Sequence, residues 1–338
     1  MKKRFLSVIA VLSLVLMTAL SGCSNSMAEK NEEKKPEYIL NLGDAMAEDH
    51  PHSRAFYWFA DRVTELTDGR VQVNVFVNST LGNQPDLIEG LTLRTVHIAK
   101  TMTTGLSVYA PQIQIFDLPY IFKDREHLFR VIDGEIGQYY AKDLLAQHDM
   151  VGIAYFYAGT RSIYSDKKIT KLEDVKGRKL RVPDSPIFIS FCESLGASGT
   201  PMPMGDIYTG IQTGVIDGAE NSPTAYYYQK HYEAAPQFNL TEHSITPDIV
   251  LMSKSYLESL PQDIQDAILQ AGQELQQYER ELWISEEKDI LEDLKEDKVS
   301  FNKVDREQFE QASKKTIEKY SSIVGQDMID KIKALEEE

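Results

Sequence analysis

Cysteine is scarce in this chain, with two in 338 residues. Cys23 follows an apolar leader. Cys192 falls in a helical stripe, with Phe188, Phe191, Cys192 and Leu195 at i, i+3, i+4 and i+7. One cysteine in the body allows no internal disulfide, and no local signature supports a thiolate nucleophile there. Positive charge is also short: 36 Lys and Arg stand against 52 Asp and Glu, a formal net charge of -16. That balance argues against nucleic acid, whose capture needs cationic contacts to phosphate. It leaves room for a small anion, because a few arginines in a cleft hold a carboxylate whatever the net charge. Gly-x-Ser-x-Gly, His-Glu-x-x-His, Gly-x-Gly-x-x-Gly and the P-loop are all missing. The seven histidines are scattered, and His50-x-His52 has no two further ligands at metal-binding spacing. No cofactor or metal is expected, nor an enzyme. An exported glycosidase, with two carboxylates facing across a cleft, is the open competitor from another class.

The N-terminus reads as a targeting device. Lys2, Lys3 and Arg4 precede an apolar run over 5–20, and Leu20-Ser21-Gly22-Cys23 follows directly. The tetrad resembles a bacterial lipobox, which implies cleavage before Cys23 and lipid on its sulfur. The expectation is a signal peptide over 1–22 and a polar, flexible tether over 23–36. Beyond it there is no second membrane span and no internal repeat.

The body alternates strand and helix patterns. Strands are expected at 38–43, 71–77, 96–99, 151–157, 179–182 and 215–219, with helices between them, which predicts α/β layers around mostly parallel sheets. Residues 116–122 carry an internal proline and read as an irregular core segment. A helical region is expected over 126–146, and an extended one over 240–253 that returns to the first lobe. From Pro261 to Glu296, apolar residues at helical spacing predict one helix long enough to brace two lobes. An amphipathic tail follows.

The run Gly177-Arg178-Lys179-Leu180-Arg181-Val182-Pro183 organises the second half. Leu180 and Val182 face one way in the strand, Lys179 and Arg181 the other. Ser185-Pro186 then reads as a helix cap followed by proline at the first helical position. An arginine at this strand-to-helix turn serves either a structural ion pair or a ligand anion, and the segment alone leaves both open. His50 lies in the loop after the first strand, as a contact for ligand hydroxyls or a solvated histidine. One ring of Tyr226-Tyr227-Tyr228 should pack inward.

Several spaced segments, in this order, resemble the solute receptors of tripartite ATP-independent periplasmic (TRAP) transporters. They include Phe116-Asp117-Leu118-Pro119-Tyr120, Gly159-Thr160-Arg161, the Arg181 run, Thr200-Pro201-Met202, Gln212-Thr213-Gly214-Val215-Ile216-Asp217-Gly218 and Glu220-Asn221. The resemblance spans nearly the whole body. It implies a two-lobe periplasmic-binding-protein fold with hinge strands and a domain-spanning helix, closing on a small organic acid that it hands to a membrane permease. It divides the body into lobe I (37–158 with 247–286) and lobe II (159–246 with 287–338), lipid-anchored outside the cytoplasm. By the family pattern, Arg181 pairs with the ligand carboxylate, Arg161 is a second cleft arginine, and Asn221 bonds the carboxylate end. Gln84 stands where relatives place a polar contact. Met102 and Gly105 replace the charged groups of sialate binders. Polar candidates at Gln84, His50, Asn221, Thr101 and Thr103 favour a hydroxylated acid, a hexuronate, over a dicarboxylate or keto acid.

Overall fold

The computed structural model describes residues 35–336. The expected signal peptide, lipidated Cys23 and nearly all of the tether lie outside them. In chain order the main elements are β1 (Tyr38–Gly43), α1 (Pro51–Leu66), β2 (Val71–Phe76), α2 (Gln84–Leu93), β3 (Ile98–Met102), α3 (Arg125–Asp133) and β4 (Met150–Phe156). Next come β5 (Arg161–Ser165), β6 (Lys179–Val182), α4 (Pro186–Ser194), β7 (Ser198–Pro201), α5 (Ile207–Gln212), β8 (Gly218–Asn221) and α6 (Pro223–Tyr228). The chain closes with β9 (Gln237–Ser244), β10 (Asp248–Ser253), α7 (Lys254–Ser259), α8 (Gln262–Glu296), β11 (Ser300–Lys303), α9 (Arg306–Val324) and α10 (Gln326–Ala334).

These strands form two sheets, in the orders β2-β1-β3-β10-β4 and β11-β9-β5-β8-β6-β7. Each sheet contains one strand antiparallel to both neighbours. In the first it is β10, in the second β5. Both are entry strands. The chain passes from β4 to β5 through 157–160 and returns from β9 to β10 through 245–247. Two neighbouring crossings between two sheets make a hinge of the kind that lobe closure uses. Gly159 lies in the first crossing at φ +78, and a Cβ there would come within 2.6 Å of Ser222 Cβ. Only glycine meets both demands cheaply.

The 35-residue helix α8 spans both halves, as its apolar spacing predicts. Ile268, Ala271 and Leu275 join the core of the first sheet, while Ile290 and Leu294 join one core face of the second. Gly272 brings this helix so close to β4 that a Cβ would meet the Ile153 carbonyl at 2.6 Å. The same face completes the open edge of β4, whose chain N–H groups need acceptors. Gln276 Oε1 takes the Tyr155 N–H at 2.7 Å, and Glu279 Oε2 the Tyr157 N–H at 3.0 Å. No described helix is long and apolar enough to cross a membrane.

Two expected strands are shifted for one shared reason. Val96, and Val215 with Ile216, stand just after helices and read as strand residues by their apolar character. Their N–H groups instead bond back to the Gly90 and Gly210 carbonyls, closing α2 and α5 over a left-handed residue, Arg94 or Gly214. The strands therefore start later, at Ile98 and Gly218, and take in Lys100, Glu220 and Asn221. The helical region expected over 126–146 is helical, but it breaks at Gly134 after α3 and continues as a short α turn (Glu135–Gln138), a π turn (Tyr139–Leu144) and a 3-10 turn that ends at His148. The tail breaks into α9 and α10 at Gly325, φ +92. In α10, the Ile332 carbonyl meets His127 Nε2 at 2.8 Å, so the chain end lies on α3.

Candidate functional site

The C-terminal edge of the second sheet carries the chemistry. β5, β8 and β6 place Tyr164, Ala219 and Arg181 in one row, by the pairings Tyr164↔Ala219 and Ala219↔Arg181. Paired residues share a face, so two long side chains flank a small one. Leu180 and Val182 pack on the opposite face with Phe188 and Phe191. Arg181 is 5 % exposed. Its one side-chain hydrogen bond among the described residues runs from Nε to the Met202 carbonyl at 2.7 Å. No carboxylate of the described residues pairs with it, and among those residues Nη1 and Nη2 have no acceptor. Burial draws its pKa down to about 10, with Arg161 adding to the effect against Glu220 and Tyr164. It remains charged at neutral pH. A buried cation without a counter-ion is costly, and an incoming anion relieves that cost.

Arg161, at the start of β5, is in the opposite condition. Nε and Nη2 donate to the two Glu220 carboxylate oxygens at 2.7 and 2.8 Å, a bidentate pair. Nη2 also donates to the Glu220 carbonyl at 3.1 Å, and Nη1 to Asn221 Oδ1 at 3.0 Å. Phe188 covers the guanidinium, 5.3 Å from the ring centre. Burial opposes the Glu220 charge, but Arg161 and His243 outweigh it and hold the carboxyl at about 2. His243 Nε2 lies 3.3 Å from Glu220 Oε2, and its Nδ1 is 2.9 Å from the Thr241 hydroxyl. The two arginines that the sequence groups together thus differ: one is free, the other is occupied by its own protein.

On the first sheet, Gln84 opens α2 and its Oε1 accepts from the Thr101 hydroxyl at 3.2 Å and the Met102 N–H at 3.4 Å. His50 is buried, not solvated. Its Nδ1 caps α1 by accepting the His52 N–H at 3.2 Å, and its ring lies among His52, Tyr228 and Trp283. Burial first, then neighbouring His52, Lys100 and Arg54, keeps its pKa well below the usual histidine value. Among the described residues no cluster of three or more His, Cys, Asp and Glu has metal-binding geometry. Of the tyrosine run, Tyr226 packs inward, and Tyr228 donates to Glu286 at 3.2 Å.

Sequence reasoning misses a charged cluster on the first sheet. Lys100, fully buried, reaches Asp248 at 2.9 Å, His52 Nδ1 at 3.0 Å and Asp44 at 3.3 Å. Glu279 lies 3.3 Å from His52 Nε2, and burial drives its pKa well above the usual carboxylate range. The available signal was a lysine inside an apolar strand run, which the late start of β3 concealed. In the sequence Asp117 stands out only as part of a spaced segment. It is buried and accepts from Thr104 Oγ1 at 2.7 Å and Ser185 Oγ at 3.1 Å, and so ties α4's capping residue to the first half. Burial lifts its pKa to about 7, against those two hydrogen bonds and Arg161. An acid raised in the folded state stabilises most below its unfolded pKa, and that contribution is lost as pH rises through about 7. Asp117→Asn is therefore expected to flatten the fall in melting temperature between pH 4 and 7, as a scanning-calorimetry series would record. An unchanged slope counts against the raised pKa.

Comparison with known proteins gives a consistent picture. The family model described as bacterial extracellular solute-binding protein, family 7, matches residues 42–323. A TRAP periplasmic solute-binding protein from Xanthobacter autotrophicus, solved with bound β-D-galacturonate, is 35 % identical with a TM-score of 0.83, covering 87 % of this chain and 99 % of its own. One from Roseobacter denitrificans with β-D-glucuronate is 29 % identical, TM-score 0.83, covering 88 % and 99 %. One from Sulfurospirillum deleyianum with succinate is 30 % identical, TM-score 0.83, covering 89 % and 99 %.

Proposed function

Because the chain belongs to the bacterial extracellular solute-binding protein family 7, the receptor family of TRAP transporters, we propose that its ligand is a hexuronate held by Arg181. The protein is an extracytoplasmic solute receptor, and its family is one of receptors, not of enzymes. One observation carries the ligand reading: a buried guanidinium whose two Nη groups have no acceptor among the described residues. The planar fork of arginine matches a carboxylate bidentately, which a lysine does not. Asn221 Nδ2 is a third donor at the same strand edge, and Gln84, which opens α2, and the buried His50, which caps α1, are proposed for the hydroxylated end. The uronates bound by two similar receptors support the choice.

The proposed action is closure about the two crossings. The open cleft admits the acid, Arg181 pairs with it, and the lobes shut as far as the ligand favours the closed form. The lobe division 37–158 with 247–286 and 159–246 with 287–338 has support in the strands, since each sheet draws all its strands from one set. The contact of α10 on α3 favours assigning α10 to the first lobe instead. Delivery to a membrane permease, and lipid anchoring through Cys23, complete the proposal.

A dicarboxylate is the second reading, since one similar receptor was solved with succinate. A thermal-shift panel of galacturonate, glucuronate, succinate and malate separates the two. A uronate at a hundred times its Kd should add about 2.7 kcal/mol of stability, visible as a clear rise in melting temperature. Stabilisation by succinate or malate and by neither uronate sinks the hexuronate reading.

A further inference from the structure

Asp117 ties the two halves of the molecule together with a carboxylate that has no counter-ion. It ends the irregular segment Pro111–Asp117 and is 2 % exposed. One oxygen accepts from Thr104 Oγ1, just after β3, at 2.7 Å, and the other from Ser185 Oγ, the cap of α4, at 3.1 Å. The chain then runs onto the second sheet, where Tyr120 donates its N–H to the His243 carbonyl at 2.8 Å and its hydroxyl to the Thr241 carbonyl at 3.0 Å. Among the described residues no cation pairs with Asp117, so its charge is met by two hydroxyls alone. The charged groups that face it are Arg161 on β5 and Glu220 on β8, which already engage each other. His243 on β9 is drawn below the usual histidine value by burial. On α9, Arg306 lies 5.3 Å from the Tyr120 ring, and Asp184, before the cap of α4, is exposed.

We propose that Asp117 couples ligand capture to protons, taking one up from solvent as the acid enters, so that affinity depends on pH through a carboxyl whose two oxygens are already engaged. This rests on the reading of Arg181 as the ligand's anchor. Ser185, which holds Asp117, follows Arg181 on the same strand-to-helix turn. A carboxylate bound to Arg181 brings a negative charge into that region, and closure removes water from it. Both changes favour the neutral form of a nearby buried acid. The contacts of Asp117 survive the change. A carboxylic acid has one O–H donor, and the Thr104 or Ser185 hydroxyl can turn to accept it, since a hydroxyl both donates and accepts. The O–H bond forms on Asp117, and water or buffer gives up the proton. Burial, against the two hydroxyls and Arg161, already sets the carboxyl at about 7, where this exchange falls in the neutral range.

The test titrates galacturonate into the full chain by calorimetry, in phosphate and in Tris, two buffers whose ionisation enthalpies differ widely. The slope of binding heat against buffer ionisation enthalpy counts the protons taken up, and roughly half a proton per ligand is expected at about pH 7.5. Kd should rise about fivefold between about pH 6.5 and 8.5, a range in which the ligand's own carboxylate stays ionised. Asp117→Asn copies the neutral acid, with an oxygen that accepts from one hydroxyl and an NH₂ that donates to the other. Its binding heat should be the same in both buffers, and its Kd flat over that range. A residue that only braced the fold would leave the proton count unchanged in the variant, and that result overturns the inference. Should the variant misfold, the unaltered protein still answers. The pH midpoint of the Asp117 carboxyl ¹³C resonance must rise when galacturonate is bound, and an unmoved midpoint also overturns it. If the unaltered protein binds no uronate, the functional reading fails and takes this inference with it. Uronate binding without proton uptake defeats the inference alone.

Discussion

Arg181→Ala should lower galacturonate affinity by two to four orders of magnitude while leaving the ligand-free protein about as stable as before. Each charge-assisted hydrogen bond contributes about 1.5–3 kcal/mol, so two parallel ones amount to roughly 3–6 kcal/mol, or ~10²–10⁴ in Kd. The stability half of the result follows from what Arg181 lacks. It has one hydrogen bond, to the Met202 carbonyl, and no ion pair among the described residues. Removing it ends an uncompensated burial of charge as well as that bond, so the two effects oppose each other. Arg181→Lys should fall between, since an ammonium keeps the charge and loses the fork. A collapse in melting temperature without ligand would show instead that the guanidinium is a structural strut. Isothermal titration and a thermal melt on the same sample read both halves.

Glu220→Gln should do the reverse to the fold. The Arg161–Glu220 pair is fully desolvated, and removing one partner strands the other charge in the interior. Such a loss costs about 3–5 kcal/mol, a fall in melting temperature on the order of 10 °C. Replacing both partners, as in Arg161→Met with Glu220→Leu, should recover much of it, because well-packed apolar pairs often match buried ion pairs. The same carboxyl sets an acid limit. Its folded pKa of about 2 is below the ordinary 4.5, so its contribution is present above pH 4.5 and is lost as pH falls toward 2. Chemical denaturation at neutral pH checks the variants. A single variant as stable as the parent would contradict the desolvated-pair account.

The contrast between these two arginines marks where sequence reading stopped. The strand around Arg181, the serine cap before Pro186 and the 35-residue helix follow from alternation, capping chemistry and helical spacing, all of which are local. The place of Asn221 just beyond an expected strand is legible too, whereas β5, which Arg161 opens, is not among the expected strands. What the two side chains do is not legible. The partner of Arg161 stands on another strand 59 residues away, and no spacing rule links them. Lys100, Asp44 and Asp248 meet only when three strands pair, so their cluster escaped for the same reason. His50 was placed in a polar loop, whereas its side chain caps α1 and its ring is enclosed by aromatics from α6 and α8. The shifted starts of β3 and β8 have a different cause. Apolar residues that close a helix look in sequence like the first residues of a strand.

A four-way calorimetric cycle tests the central claim most directly. It measures the Kd of galacturonate and of galactose, which lacks the carboxylate, against the parent protein and Arg181→Ala. If Arg181 is the carboxylate anchor, the acid loses roughly a hundredfold or more in the variant while galactose binds both proteins with the same weak affinity, a coupling near 3 kcal/mol. Equal weakening of both ligands would place the guanidinium's role in the shape of the pocket and contradict the account.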